Sequence, residues 1–279
     1  MNSVSISLGI QVFVCAAAFG ALINMYSVQI LKTFWSTYAY GEIRKQTLPW
    51  ATGNLVVQAL LGKKTLRYMK TRNFLFPWFE LTFASLVLLA LIVHGLNWYF
   101  VRTVAFLAFA LPLAMISFLN ETLTPDNLTI PGTVVGLVTS WLPGSMKSVS
   151  FGMLDKFNFP MELSQAIDGL ASSLVGAAVG YLCLYGVYKL FLWLTGKEGM
   201  GKGCFKANMM IGAFCGPQLV VEVVIISAGI GIFVGLTLIA TKRQDRNEPI
   251  AFTPYQMLAG LIAMTWGNNL LDWYLSWLA

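Results

Sequence analysis

Side chains able to do acid–base or nucleophilic chemistry are few in this chain of 279 residues, which has 12 Asp and Glu, four Cys and one His. Two stretches at the ends of apolar segments hold four of them, Glu198 with Cys204 and Glu121 with Asp126. One is Gly199-Met200-Gly201-Lys202-Gly203-Cys204-Phe205-Lys206, preceded by Leu194-Thr195-Gly196-Lys197-Glu198. The other runs from Phe118 through Asn120 and Glu121 to Pro125-Asp126. Two carboxyl groups that share one proton can act as a general acid and a general base. The carboxylates on offer are Glu121, Asp126 and Glu198, with Glu121 and Glu198 as one conceivable pair. The plainer reading makes all three solvated loop-end charges, paired with Lys197 or Lys202. A Cys204 nucleophile needs a base, and the lone His94 belongs to the far end of another apolar segment. Cys15, Cys183, Cys204 and Cys215 form no C-x-x-C, so the sequence shows neither a zinc ribbon nor a disulfide framework. No metal site and no cofactor are expected from these residues.

The elements that must position them are membrane helices. The chain is 57% hydrophobic and 11% charged, where a soluble domain carries about 25% charged residues. Eight apolar segments approach the roughly 20 residues that a bilayer span needs. They run over 6–31, 74–93, 98–119, 128–142, 166–194, 207–219, 220–240 and 254–278, the fourth and sixth being short. If all eight alternate across the membrane, fifteen of the 18 Lys and Arg fall on one side. They lie in the 32–73 loop, around the glycine run and at Lys242, Arg243 and Arg246; only Arg102, Lys147 and Lys156 lie opposite. The positive-inside rule then places both termini outside and the basic loops in the cytoplasm. The formal charge of +6 thus reports topology, not a nucleic-acid partner. Met1-Asn2-Ser3-Val4-Ser5 lacks the basic start of a signal peptide. The expectation is an all-α polytopic membrane protein, a single integral domain over 1–279, with 32–73 as its one sizeable cytoplasmic loop.

Several blocks together resemble one family. The run ending in Gly201-Lys202-Gly203-Cys204-Phe205-Lys206 is similar to the G-x-G-D-x-K signature of the type IV prepilin peptidases. These are intramembrane aspartic proteases that trim pilin leader peptides. Phe19-Gly20-Ala21-Leu22-Ile23-Asn24 resembles the family's first-helix pattern, and Pro77-Trp78-Phe79-Glu80-Leu81 its P-L-V-E-L. Pro125-Asp126-Asn127-Leu128-Thr129-Ile130-Pro131 looks like its P-D-x-L-T-L-P. Gly180-Tyr181-Leu182 and Pro249-Ile250-Ala251-Phe252-Thr253-Pro254-Tyr255 fit later blocks. Their order and spacing span nearly the whole chain.

Three departures accompany the likeness. The family's D-x-D-x-x-x-L-P-D places its two leading aspartates at Phe118 and Asn120, and neither residue ionises. Cys204 stands where the glycine signature has its catalytic Asp, within the loop that also contributes Gly201, Gly203 and Lys206. Many members hold zinc through four cysteines in the first cytoplasmic loop; this loop has none, with Thr65 and Tyr68 near the second pair's positions. The family's second activity, methylation of the new pilin N-terminus with S-adenosylmethionine, loses support with that divergence.

The resemblance therefore implies a prepilin-peptidase-like protein of the bacterial inner membrane that has lost the aspartate dyad. It would act at most as a binding or assembly factor for type IV pilin-like proteins, in pilus assembly or type II secretion, with a prepilin-like helical peptide and the lipid bilayer as partners. Alternatives are an active leader peptidase with a relocated acid pair, drawn from Glu121, Asp126 and Glu198, and a small-solute transporter using Glu80 and Asp272. Glu80 and Asp272 also read as structural carboxylates bonded to Asn24, Asn268 or Asn269. Asp168 and Glu222 are expected to reach the membrane interface. The sequence leaves the oligomeric state open.

Overall fold

The computed structural model describes residues 8–24, 76–119, 124–142, 161–196, 201, 203–241 and 251–278. Every regular element among them is a helix, as apolar segments in a bilayer must be to satisfy their own backbone. We label them α1 (Leu8–Asn24), α2 (Phe76–His94), α3 (Trp98–Leu119), α4 (Asp126–Ser140), α5 (Met161–Thr195), α6 (Gly203–Ala240) and α7 (Thr253–Leu278). Two unbroken stretches, Trp98–Ser117 and Ser164–Leu194, are long and apolar enough to cross a membrane; Gly203–Thr237 has the length and apolarity but is broken at Gly216. The chain divides into two compact units, Met1–Val93 and His94–Ala279.

In the first unit α1 and α2 run antiparallel. Gly9 faces Leu88, and Gly20 leaves room for the Phe83 ring, which would lie 3.2 Å from a Cβ there. Phe19 tilts against the same ring. Asn24 and Glu80, at one end of this pair, are both buried.

The second unit is organised by a break. The expected sixth and seventh segments form α6, interrupted at Gly216 (φ 83, ψ 175), a conformation open to glycine and strained for other residues. The two arms fold back on each other. Gly180 of α5 has Asn208 O and Val220 Cγ2 within 2.5 and 3.1 Å of its Cβ position, although twelve positions separate them in sequence. The Gly203 and Ala240 ends therefore return to one side.

Breaking a helix here orphans carbonyls. Pro217 has no N–H to offer Ala213 O, and the turn at Gly216 carries the next donor away from Phe214 O. Arg102 replaces both donors: its Nη2 donates to Ala213 O at 2.7 Å and its Nε to Phe214 O at 2.9 Å. Ser173 Oγ from α5 also donates to Ala213 O at 2.5 Å. Arg102 is fully buried on α3, with its guanidinium 5.7 Å from the Phe214 ring centre. Sequence reasoning counted it only as a charge on the side opposite the basic loops.

The remaining helices are held by close backbone approach. A Cβ on Gly176 would overlap Gly212 O and lie 2.7 Å from Gly216 Cα, and Asn208 Nδ2 donates to Gly180 O at 2.7 Å. α7 runs alongside the first arm, with Ile211 packed on Gly260 and Cys215 Sγ 4.0 Å from Gly260 O. Tyr99 of α3 donates to Met264 O at 2.8 Å. Asp168 is buried, and Glu222 Oε2 is buried beside Gly267 without a hydrogen-bond partner among the described residues. Glu222 Oε2 thus packs against α7. The side chains of Asp272 and Asn268 lie outside the described residues.

Candidate functional site

The two stretches rich in chemistry meet at one end of the second unit. α5 closes there on Gly196 (φ 67), whose N–H bonds Leu192 O at 2.8 Å. Positive φ at the residue after the last turn is the usual glycine stop. After the glycine run α6 starts, and Cys204 N donates to Gly201 O at 3.1 Å in its first turn. Gly203 is obligatory in its place: Thr124 Oγ1 occupies the space a Cβ would fill. This contact brings the chain just before α4 against the start of α6.

Lys206 and Asp126 reinforce the junction. Lys206 Nζ lies 2.7 and 2.8 Å from the two Asp126 oxygens. Asp126 is the first residue of α4, where a carboxylate also opposes the positive helix end. The expected partners of Asp126 were Lys197 or Lys202; the structure gives Lys206. From there α4 and the first arm of α6 run parallel in constant register, Gly132 against Met210 and Gly136 against Phe214.

Cys204 itself is buried, at 7% exposure. Its thiol lies 3.7 Å from Thr253 Oγ1 at the start of α7, and Gln256 Nε2 donates to Cys204 O at 3.4 Å. Three helix N-termini, those of α4, α6 and α7, thus converge on this end, an arrangement that favours negative charge. An aromatic collar from α5 closes one flank. Tyr181, Tyr185 and Tyr188 surround Phe205 at ring distances of 6.1, 5.9 and 5.2 Å. Lys189 Nζ sits 5.6 Å from the Tyr185 ring centre.

Of the residues singled out from sequence, the structure brings Asp126, Gly201, Gly203, Cys204 and Lys206 together. Phe118 lies in the last turn of α3, and its side chain lies outside the described ones. Asn120, Glu121 and Glu198 lie outside the described residues, as does the 32–73 loop, so the pairing of Glu121 with Glu198 rests on sequence alone. Sequence reasoning missed Thr124, Thr253 and Gln256. Thr253 falls in a block noted only for its resemblance; nothing local in the sequence says that its hydroxyl meets a thiol from α6. Chemically, the described part of the site offers a thiol–hydroxyl contact and an ion pair, with its one carboxylate engaged by a lysine.

Comparison with known proteins points to one family. Residues 105–236 match the model of the type IV leader peptidase family. The chain is 32% identical over 238 residues to a prepilin leader peptidase/N-methyltransferase of Xanthomonas campestris pv. campestris, covering 85% of this chain and 75% of that one. It is 30% identical to a protein of the same name from Pseudomonas aeruginosa, over 81% of this chain and 70% of the other. A third, from Aeromonas hydrophila, is 35% identical over 52% of this chain and 53% of its own length. No solved structure matches the chain.

Proposed function

The chain belongs to the type IV leader peptidase family, and we propose that within it this protein binds pilin-type helical segments without cutting them. One observation carries the reading. At the signature position where the family resemblance expects an aspartate, Cys204 is buried with its thiol against the Thr253 hydroxyl. Neither group ionises readily, so the water-activating half of a carboxyl pair is missing there. Asp126, the carboxylate on the adjoining helix, is clamped by Lys206. Asn120 and Phe118 remove the other half on the sequence side. What stays in place is the frame: the glycine start of α6, the packed Thr124–Gly203 junction and the aromatic collar.

In this reading the protein sits in the bacterial inner membrane, with the Cys204 end cytoplasmic and both termini periplasmic by the distribution of Lys and Arg. It would hold prepilin-like proteins for assembly of a type IV pilus or a type II secretion system. The methyltransferase half of the relatives' name is not carried over, because the first loop lacks the family's cysteines.

The test is a leader-cleavage assay in detergent with a prepilin encoded in the same genome. The parent chain runs beside the triple variant Phe118→Asp, Asn120→Asp, Cys204→Asp. No cleavage by the parent, with retained prepilin binding, is the expected result, and cleavage by the variant alone shows an intact groove that lost only its dyad. Cleavage by the parent overturns the proposal and directs attention to an acid pair built from Glu121, Asp126 and Glu198.

A further inference from the structure

α4 and the first arm of α6 are both too short for an ordinary bilayer. At 1.5 Å per residue the 15 residues of α4 span about 22 Å. The arm from Gly203 to Cys215 spans about 20 Å by the same rise. A hydrocarbon core is about 30 Å thick. The neighbouring helices meet that thickness: α3 has 22 residues and α5 has 35. The short pair is in register, so the two deficits coincide at one place.

The outward face of α4 shows what meets the membrane there. Ile130, Val134, Val138 and Trp141 are all exposed and fall on one helical stripe. At one end the stripe is bounded by the exposed Lys206–Asp126 pair, at the other by Trp141, itself 52% exposed. Charged groups and tryptophan are the groups that settle at headgroup level. At its far end α4 stops close against α5, where Ser140 O faces Gly169.

We propose that the α4 face meets phospholipid in a locally thinned bilayer, its acyl chains compressed to the height between Asp126–Lys206 and Trp141. A short apolar span is accommodated by thinning the membrane beside it, at modest cost per ångström. The partner is lipid, not a protein helix, and the inference holds whether or not the chain cleaves prepilin.

The experiment uses the full chain with Cys15 and Cys183, the two cysteines that are not buried, changed to Ser. Val138→Cys on the stripe, or Ile225→Cys on the exposed face of the second α6 arm, carries a nitroxide. Each protein enters phosphatidylcholine vesicles with myristoleoyl, oleoyl or erucoyl chains. Depth is read from collisions with oxygen and with a water-soluble nickel chelate. The Val138 label should stay near headgroup depth in all three lipids, while the Ile225 label moves deeper as the chains lengthen. Two results overturn the proposal: a Val138 label that deepens in step with Ile225, meaning full thickness, or one shielded from both quenchers, meaning a protein cover. Val134→Cys repeats the measurement should Val138→Cys fold poorly.

Discussion

Arg102 Nη2 donates to Ala213 O at 2.7 Å, across 111 positions of sequence, to the carbonyl that Pro217 leaves without a helix donor. The arginine is therefore a cap supplied from another helix. Removing a buried charged donor exposes its acceptors to the cost of being unsatisfied, about 1–3 kcal/mol each. Arg102→Met is expected to destabilise the protein by roughly 2–4 kcal/mol, since it leaves two buried carbonyls short of a donor. Arg102→Lys should recover part of this, since an ammonium has no planar fork to serve two carbonyls at once. Thermal unfolding in detergent reads both. Equal stability of the Met variant and the parent would mean that Ser173 alone caps the arm.

Glycine at the α5–α6 crossing is a packing requirement, and a nearby glycine provides the control. A Cβ on Gly176 would collide with the Gly212 carbonyl and the Gly216 backbone, whereas Gly186 has nothing within 4 Å. Gly176→Ala should force the helices apart and cost about 2 kcal/mol or more, as overpacking does. Gly186→Ala should be neutral or stabilising by up to about 1 kcal/mol, the helix propensity gained. Unfolding midpoints of the two variants in one detergent decide the matter; matching losses would remove the crossing from the account.

The Lys206–Asp126 pair is short, yet its side chains are 40% and 52% exposed. Such pairs contribute about 0.2–1 kcal/mol and weaken with salt. A double-mutant cycle over Asp126→Asn and Lys206→Met should return a coupling in that range, shrinking between low and high salt. The reversed pair, Asp126→Lys with Lys206→Asp, should do worse than the parent, because the lysine would then stand at the positive start of α4. A coupling well above the range, unaffected by salt, would mark the pair as buried beneath a further segment.

Much of the bundle was legible because bilayer spans announce themselves by length and apolarity. The third segment, 98–119, coincides with α3, and the boundary read between the sixth and seventh segments falls within a few residues of the break in α6 at Gly216. The glycine run was legible too, since a turn without Cβ atoms has few other uses at a helix start. Long-range satisfaction was not. Arg102 reads as a topology charge until α6 breaks beside it, and Asp126 has three lysines to choose from until the register of α4 on α6 selects Lys206. Burial of Asp168 and of the Glu222 Oε2 atom depends on which helix lies alongside, a property no local window contains.

Electrostatics at Cys204 can be read by substitution without any assay of cleavage. Cys204 lies in the first turn of α6, and Thr253, its thiol's neighbour, opens α7. Helix starts favour an anion by about 0.3–1 kcal/mol each, and more when partly buried. Cys204→Asp should therefore stay within about 1.5 kcal/mol of the parent, with the Thr253 hydroxyl able to donate to the new carboxylate. Cys204→Lys meets the same burial with the wrong sign and should lose about 3 kcal/mol or more, as an unpaired buried charge does. Cys204→Ser, neutral and near in shape, sets the baseline. Unfolding midpoints ordered Ser, Asp, Lys from most to least stable would show that the frame still favours a carboxylate where the cysteine now stands. Asp and Lys variants of equal stability would show that the helix ends confer no such preference, and restoring acid chemistry by the Cys204→Asp change would then need more than one substitution at this end of α6.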